Sequence, residues 1–448
     1  MKTSASAGTT LALSCVLLLI LFTATLAAQA PVRLTLQDAI ERALAANLNG
    51  QLAAARIDEA QGTRLRRYAA TMLPRVSAQA YANVQNRNLN AFGISLPEVP
   101  KVVGPFSNYD LNLSAQQNIV DLAGYRSLKA SDRTLDADKL DYRDTRDLIV
   151  RYVAQLYLIA ESAAARIESS QSRVTDSNTL YKLARDRHDA GAATGVDVLR
   201  AEVQLANDKQ ALLIAQNQFK QSLLELARYM GMNPATPLEL AETLSYQPLQ
   251  QIQAETLIQS ALVVRADYLS LASQRQSLVE QLRANRARSY PKLSLNGSYG
   301  GIGRSVGGMQ GTGILQGQID VTLFDRDRQG EAQELASRIK SIDDRVADLR
   351  RGIEEDVREA LLNLTSAAEQ VIVATDGRQL AERELELAQD RFAQGTTNNV
   401  EVVTAQDELA RAEENYILAV SSHIDAKFAL ARALGDTEKK IAEFTSVR

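Results

Sequence analysis

One stretch of this chain is written twice, and that duplication limits the possible fold more than any other feature. Residues 183–206, LARDRHDAGAATGVDVLRAEVQLA, recur 204 positions later at 387–410 as LAQDRFAQGTTNNVEVVTAQDELA. Without a gap, Leu183, Ala184, Asp186, Arg187, Gly191, Val196, Val198, Ala201, Leu205 and Ala206 meet identical residues, and Asp197 meets Glu401. Each copy reads as a helix ending at a glycine, a few turn residues and a new helix. Gly191 and Gly395 suit the left-handed position just past a helix C-terminus. Asp197 and Glu401 then fall in the first turn of the next helix, where the dipole favours an acid. The same offset brings Asp121 onto Asp325. Two similar halves are therefore expected, 29–240 and 241–436, with a charged tail at 437–448.

The helical segments are long. From Gly124 no proline occurs until Pro234, and Leu128, Leu135, Tyr142, Ile149, Leu156 and Ala163 fall seven apart, a heptad seam. A helix running to about Ala190 spans roughly 100 Å at 1.5 Å per residue. A globular domain has no use for such a rod. The second half matches it over 327–394, with Leu335, Ile342 and Leu349 in heptads. That seam steps by four to Ile353 and continues at Ala360, Ala367 and Ala374. A four-residue step is a stutter, which locally unwinds a supercoil and keeps helices nearly straight. Shorter helices are expected at 196–230 and 400–434. Others precede the strands, at 35–72 with a break near Asn47 and at 254–288.

Between helices the period drops to two. Val76, Ala78, Ala80, Ala82 and Val84 face one way; Ser77, Gln79, Tyr81, Asn83 and Gln85 face the other. After a loop holding Pro97, Pro100 and Pro105, Tyr109, Leu111, Leu113 and Ala115 alternate with Asp110, Asn112, Ser114 and Gln116. The second half alternates Leu293, Leu295, Gly297 and Tyr299 with Ser294, Asn296 and Ser298. Past a Gly-rich loop at 300–313, Leu315, Gly317, Ile319, Val321 and Leu323 alternate with Gln316, Gln318, Asp320 and Thr322. The two hairpins occupy 74–122 and 291–325. Strands of about ten alternating residues match a tilted crossing of a bilayer, where a sheet tolerates no free edge. The smallest closed bacterial barrels have about eight strands, so four must find partners in other copies. A buried soluble sandwich is the alternative. Against it stand the small outward residues and the length of the rods.

Composition sets several functions aside. Residues 1–28 read as a secretory leader: Lys2 is its only charge, an apolar run covers 11–26, and small residues follow at Ala27 and Ala28. Cys15, the only cysteine, leaves with it, so the exported chain has no disulfide or thiolate chemistry. Loss of Lys2 moves the net charge from −4 to −5, which argues against nucleic acid. No later apolar run is expected to cross a membrane as a helix, so any crossing falls to the strands.

The order of these segments resembles the TolC family of outer-membrane efflux ducts, over essentially the whole exported chain. The likeness rests on Asp121 in NIVDLAG and Asp325 in TLFDRDR, the turns Arg187 to Gly191 and Arg391 to Gly395, and the VDV and VEV segments at 196–198 and 400–402. It implies a mainly helical fold with long α-helical hairpins in two tandem repeats. Three protomers would form a twelve-helix periplasmic tunnel capped by a twelve-stranded barrel in outer-membrane lipid. It also implies a tip that meets a periplasmic adaptor and an inner-membrane RND or ABC pump. The family's gate acids fall on Glu401 and on Thr404, which is neutral here, and the first-half acid falls on Asp197. Arg187, Gly191, Gly195, Arg391, Gly395 and Thr396 form the tip turns that would touch the adaptor. The other open reading is a periplasmic helical-rod adaptor that binds partners without a pore.

Plainer readings exist for each residue. Asp197 and Glu401 also fit a simple first-turn role. His188 sits beside Asp189 in a solvated position, and His423 stands alone among apolar residues. Glu354, Glu355 and Asp356 read as a hydrated face. With two histidines and five methionines, no metal site, cofactor or catalytic constellation is assigned, and the chain is not read as an enzyme. The Gly-rich loop lacks the lysine and spacing of a phosphate loop.

Overall fold

Local chemistry sets the element boundaries. In the computed structural model, which describes residues 31–439 apart from 95, 96, 98, 244 and 249–252, Thr35 caps α1 (Leu36–Ala46) through a capping box with Asp38. Asn47 interrupts the helix and caps α2 (Leu48–Met72), accepting from the Asn49 amide at 2.9 Å. Leu73, before Pro74, is extended, and the chain enters β2 (Arg75–Asn88). β3 (Val102–Val120) returns, and Asp121 starts α3 (Leu122–Asp189) by accepting the Gly124 amide at 2.7 Å. α4 (Gly195–Tyr229) folds back along α3. A linker then carries β4 (Leu238–Leu240), which pairs in parallel with β1 (Val32–Leu34). Elements from 254 onward take the same order: α5 (Ala254–Val264), α6 (Ala266–Ala287), β5 (Lys292–Gly303), β6 (Gln310–Asp320), α7 (Asp327–Ala393) and α8 (Asn399–Leu434). The expected leader with Cys15, and residues 440–448, lie outside the described residues.

α3 and α7, with 68 and 67 residues, are the spine. Towards the sheet they pack with α2 and α6; towards the turns they pack with α4 and α8. The protomer is thus four helices wide along most of its length. The heptad seams supply the contacts. Leu128, Leu135, Ile149, Leu156 and Ala163 are buried on α3, as are Leu335, Ile342, Ile353, Ala360 and Ala367 on α7. At mid-height α1, α3, α4 and α8 meet around Ile40, Val153, Tyr157, Leu226 and Phe428. Burial of each such side chain stabilises the fold by roughly 1.5–3 kcal/mol. The Tyr157 hydroxyl donates to the Leu34 carbonyl at 2.9 Å and fixes β1 to this core.

Several expectations change. The helix expected over 254–288 breaks at Arg265, whose ψ of 121° is extended. Neither glycine nor proline marks the break; a buried ion pair does. Arg265 donates to Asp267 at 2.7 Å and to Asp356 at 2.6 Å, and reaches the Ala433 carbonyl at 3.4 Å. Asp356 therefore has a structural partner as well as solvent. Asn47 plays the matching part in the first half, its amide donating to the Tyr229 carbonyl at 3.0 Å. Tyr229 and Ala433 are 204 residues apart, as are Gly231 (φ 68°) and Gly435 (φ 73°), which follow them in left-handed conformation. Each broken helix pair is pinned to the C-terminus of the last helix in its half.

The strands also differ in extent from the alternation: β6 starts earlier, at Gln310, and stops at Asp320, leaving Val321 and Leu323 outside it, and the others run longer. β3 begins at Val102 and contains Pro105, and β5 runs to Gly303 within the segment expected as a loop. Glycine there is compatible with strand because the neighbour comes very close: a Cβ on Gly300 would collide with the Leu111 carbonyl. A third change concerns α3, which contains a window apolar enough to span a membrane, although most of it is buried inside the protein. That window is core, since it includes Val150, Val153, Leu156 and Tyr157. Finally, the charged tail starts docked: 437–439 are helical, Thr437 is buried, and Glu438 pairs with Arg146 at 2.6 Å.

Candidate functional site

Two ends of the protomer carry the candidate functions. At one end lies an antiparallel sheet of order β2-β3-β5-β6. Its register sorts the side chains by face. One rung aligns Ala78, Leu113, Tyr299 and Gly313; the next aligns Ser77, Ser114, Ser298 and Ile314. The Ser77 and Ser114 hydroxyls meet at 2.8 Å. On the apolar face Leu111, Leu113, Tyr299, Leu315 and Ile319 are all more than half exposed. Both edge strands, β2 and β6, have one side without a strand partner among the described residues. A row of free amides and carbonyls beside exposed leucine and isoleucine is an interface waiting for another chain or for lipid.

At the other end the two turns lie side by side. α3 closes on Gly191 (φ 74°), with the Ala192 amide reaching the Arg187 carbonyl at 2.7 Å. α7 closes on Gly395 (φ 78°), with the Thr396 amide reaching the Arg391 carbonyl at 3.0 Å. The left-handed glycines inferred from sequence are in place. Asp197 forms a capping box with Thr194, accepting the Thr194 amide at 3.1 Å. The Thr194 hydroxyl bond holds the Asp197 carboxyl below the usual carboxylate range. Glu401 accepts from the Arg391 guanidinium and the Thr397 hydroxyl. Within one protomer, both acids are held by their own turns.

Three residues tie the turns together. The Arg187 guanidinium donates to the Phe392 carbonyl and lies 4.9 Å from that ring's centre. Asn399 is fully buried; its amide donates to the Asp197 carbonyl at 2.7 Å and its oxygen accepts from Arg200 at 3.0 Å. Beneath them Leu180, Ala184, Ala201, Leu385, Phe392 and Val402 form an apolar plug. Arg187 therefore faces the neighbouring turn, whereas Gly191, Gly195, Arg391, Gly395, Thr396 and Thr404 are exposed. Sequence reasoning passed over Asn399 and Phe392. The available signal was their mismatch with Gly195 and His188 in the otherwise aligned copy.

The two histidines differ. His188 is exposed, 3.6 Å from Asp189. His423 is fully buried against the Tyr246 ring, with both ring nitrogens unpartnered among the described residues. Burial, aided by the charge of Lys427, pushes the His423 imidazole down to about 4. Among the described residues no cluster of His, Cys, Asp and Glu is arranged to hold a metal.

Comparison with known proteins agrees with this layout. The profile of the family described as outer membrane efflux protein matches residues 39–232 and 257–436. The pyoverdine export outer membrane protein OpmQ of Pseudomonas putida is 24% identical over 398 residues, covering 86% of this chain and 82% of that protein. The toluene efflux pump outer membrane protein TtgC of Pseudomonas putida is also 24% identical, over 89% of this chain and 82% of TtgC. Among solved structures, the outer-membrane channel OprN superposes with a TM-score of 0.76 at 19% identity, over 90% of both chains. The outer membrane protein VceC of Vibrio cholerae gives 0.75 at 19% identity, over 89% of this chain and 96% of its own. With a profile match that takes in both hairpins, all the long helices and both turns, this chain belongs to the outer membrane efflux protein family.

Proposed function

We propose that the chain is the outer-membrane duct of a tripartite efflux or type I secretion system, working as a homotrimer. Three four-stranded sheets would close a twelve-stranded barrel in outer-membrane lipid. The four-helix-wide bodies would continue it as a twelve-helix tunnel through the periplasm, each protomer being two tandem repeats. The observation that carries this reading is the sheet, apolar on one face, mostly polar on the other and, among the described residues, without a strand partner at either edge. Such a sheet cannot rest in lipid alone. Two copies would reach eight strands, whose interior fills with side chains; three leave a lumen for transport.

At the far end the turns bearing Asp197, Glu401 and Thr404 form the closing tip. Three copies would ring it with carboxylates and draw cations towards it. The exposed Gly191, Gly195, Arg391, Gly395 and Thr396 are offered to a periplasmic adaptor, which joins the duct to an RND or ABC pump in the inner membrane. That pump supplies the energy, and the duct conducts passively. OpmQ and TtgC are named for different cargoes, pyoverdine and toluene, which suits a duct whose cargo is chosen by its partners. Light scattering of the detergent-extracted protein is expected to give a trimer that stays with outer membranes through a high-salt wash. A monomer that resists extraction would overturn the barrel, and release by salt would favour the helical-rod adaptor.

A further inference from the structure

A cavity of 460 Å³ opens at mid-height between α3, α7, α8 and the linker after β4. Its floor is apolar, with Ile417 and Val420, and its wall is acidic. Three of the four acids there face solvent or have partners. Glu242 accepts the Leu36 amide at 3.3 Å, Glu413 accepts the Ser169 hydroxyl, and Glu168 is exposed. Glu161 has neither advantage. It is only 7% exposed, lines the cavity, and has no hydrogen bond or ion pair with any described residue. The cation in the wall, Arg378, is engaged elsewhere: it lies 4.3 Å from the Tyr416 ring centre and 3.4 Å from Glu382. A carboxyl that has no protein donor and opens onto the cavity is a ready counter-charge for a cation.

We propose that this cavity binds a small organic ammonium ion, its charged head against Glu161 and Glu242 and its hydrocarbon body on Ile417 and Val420. A metal fits poorly, since the acids are spread along the wall and no described cluster converges as ligands would. A bulky, weakly hydrated cation needs carboxylates for its head and an apolar floor for its body, which Glu161, Glu242, Ile417 and Val420 provide. The volume lies within the range of small-molecule sites. The site is complete within one protomer and does not depend on the duct reading.

Proton linkage gives it a signature. Burial, together with the charge of Glu242, raises the Glu161 carboxyl to about 8. The other titratable groups facing it are Tyr157 and Glu168 on α3, Arg378 on α7 and Glu413 and Tyr416 on α8. Cation binding favours the ionised carboxylate and releases a proton, so affinity rises with pH. The probe is choline, whose charge is permanent, with 3,3-dimethylbutan-1-ol as its neutral isostere. Calorimetry on the purified full chain in detergent is expected to show saturable choline binding that tightens about tenfold from pH 7 to pH 9. The isostere should give no comparable heat. Glu161→Gln, which keeps size and shape, should abolish binding without lowering the melting temperature, and Arg378→Gln should tighten it. Equal binding of the isostere, an unchanged Glu161→Gln variant, or affinity flat between pH 7 and pH 9 would each overturn the proposal.

Discussion

The sheet offers the sharpest test, because neighbouring residues on one strand are assigned to opposite environments. All four strands share the ladder from Asp110 to Gln116, and Leu113 is its midpoint. Leu113 is 55% exposed, with Ala78 and Tyr299 as its lateral neighbours on the apolar face. In the proposed barrel it lies near the bilayer midplane, where an arginine costs about 2–4 kcal/mol. Ser114, one residue on, turns to the opposite face beside Ser77 and Ser298. An arginine there enters water and loses only a surface hydroxyl contact. Leu113→Arg should therefore shift the folding equilibrium of each protomer by about 30- to 1000-fold relative to Ser114→Arg. The assay is the yield of protease-resistant trimer in the outer-membrane fraction, followed by urea titration of the extracted protein. Equal losses in the two variants, or the reverse order, would refute the assignment of faces and with it the barrel.

Two other predictions concern the helices. Asn399→Ala leaves the Asp197 carbonyl and Arg200 without their buried partner, a loss of about 1–3 kcal/mol at the tip; planar-bilayer recordings are expected to show larger or longer openings, and parental conductance would show that this tie does not hold the tip shut. His423 gives a pH dependence. Its folded value of about 4 lies below the unfolded 6.5, so the unfolded chain takes up the proton first and stability falls as pH drops from 6.5 towards 4. The loss from this group reaches about 3 kcal/mol, and His423→Leu should flatten the melting profile over that interval; parallel profiles for the two proteins would remove His423 as the cause.

What could be read from sequence was local. Gly191 and Gly395 announced turns because a left-handed residue past a helix is a property of four or five consecutive residues. The seam from Leu128 to Ala163 was visible because its period is set by one helix, and strand faces were visible because their period is two. The extent of the strands was less legible, since Gly300 and Gly301 look like loop until Leu111 is known to lie across from Gly301.

Contacts between the halves left a different trace. A duplicated sequence that kept the same neighbours in both copies would have no physical reason to diverge at matched positions. Divergence inside a conserved frame therefore points to places where the two copies touch different things. Gly195 is exposed whereas its counterpart Asn399 is fully buried and bonded to the opposite turn. His188 is solvated whereas Phe392 closes the tip core and supports Arg187. The junctions behave likewise: Asn47 and Arg265 both reach the last helix of their half, but only Arg265 needs two acids to lie buried there. The identities between the copies mark what each turn needs in order to form, and the differences mark how one turn holds the other.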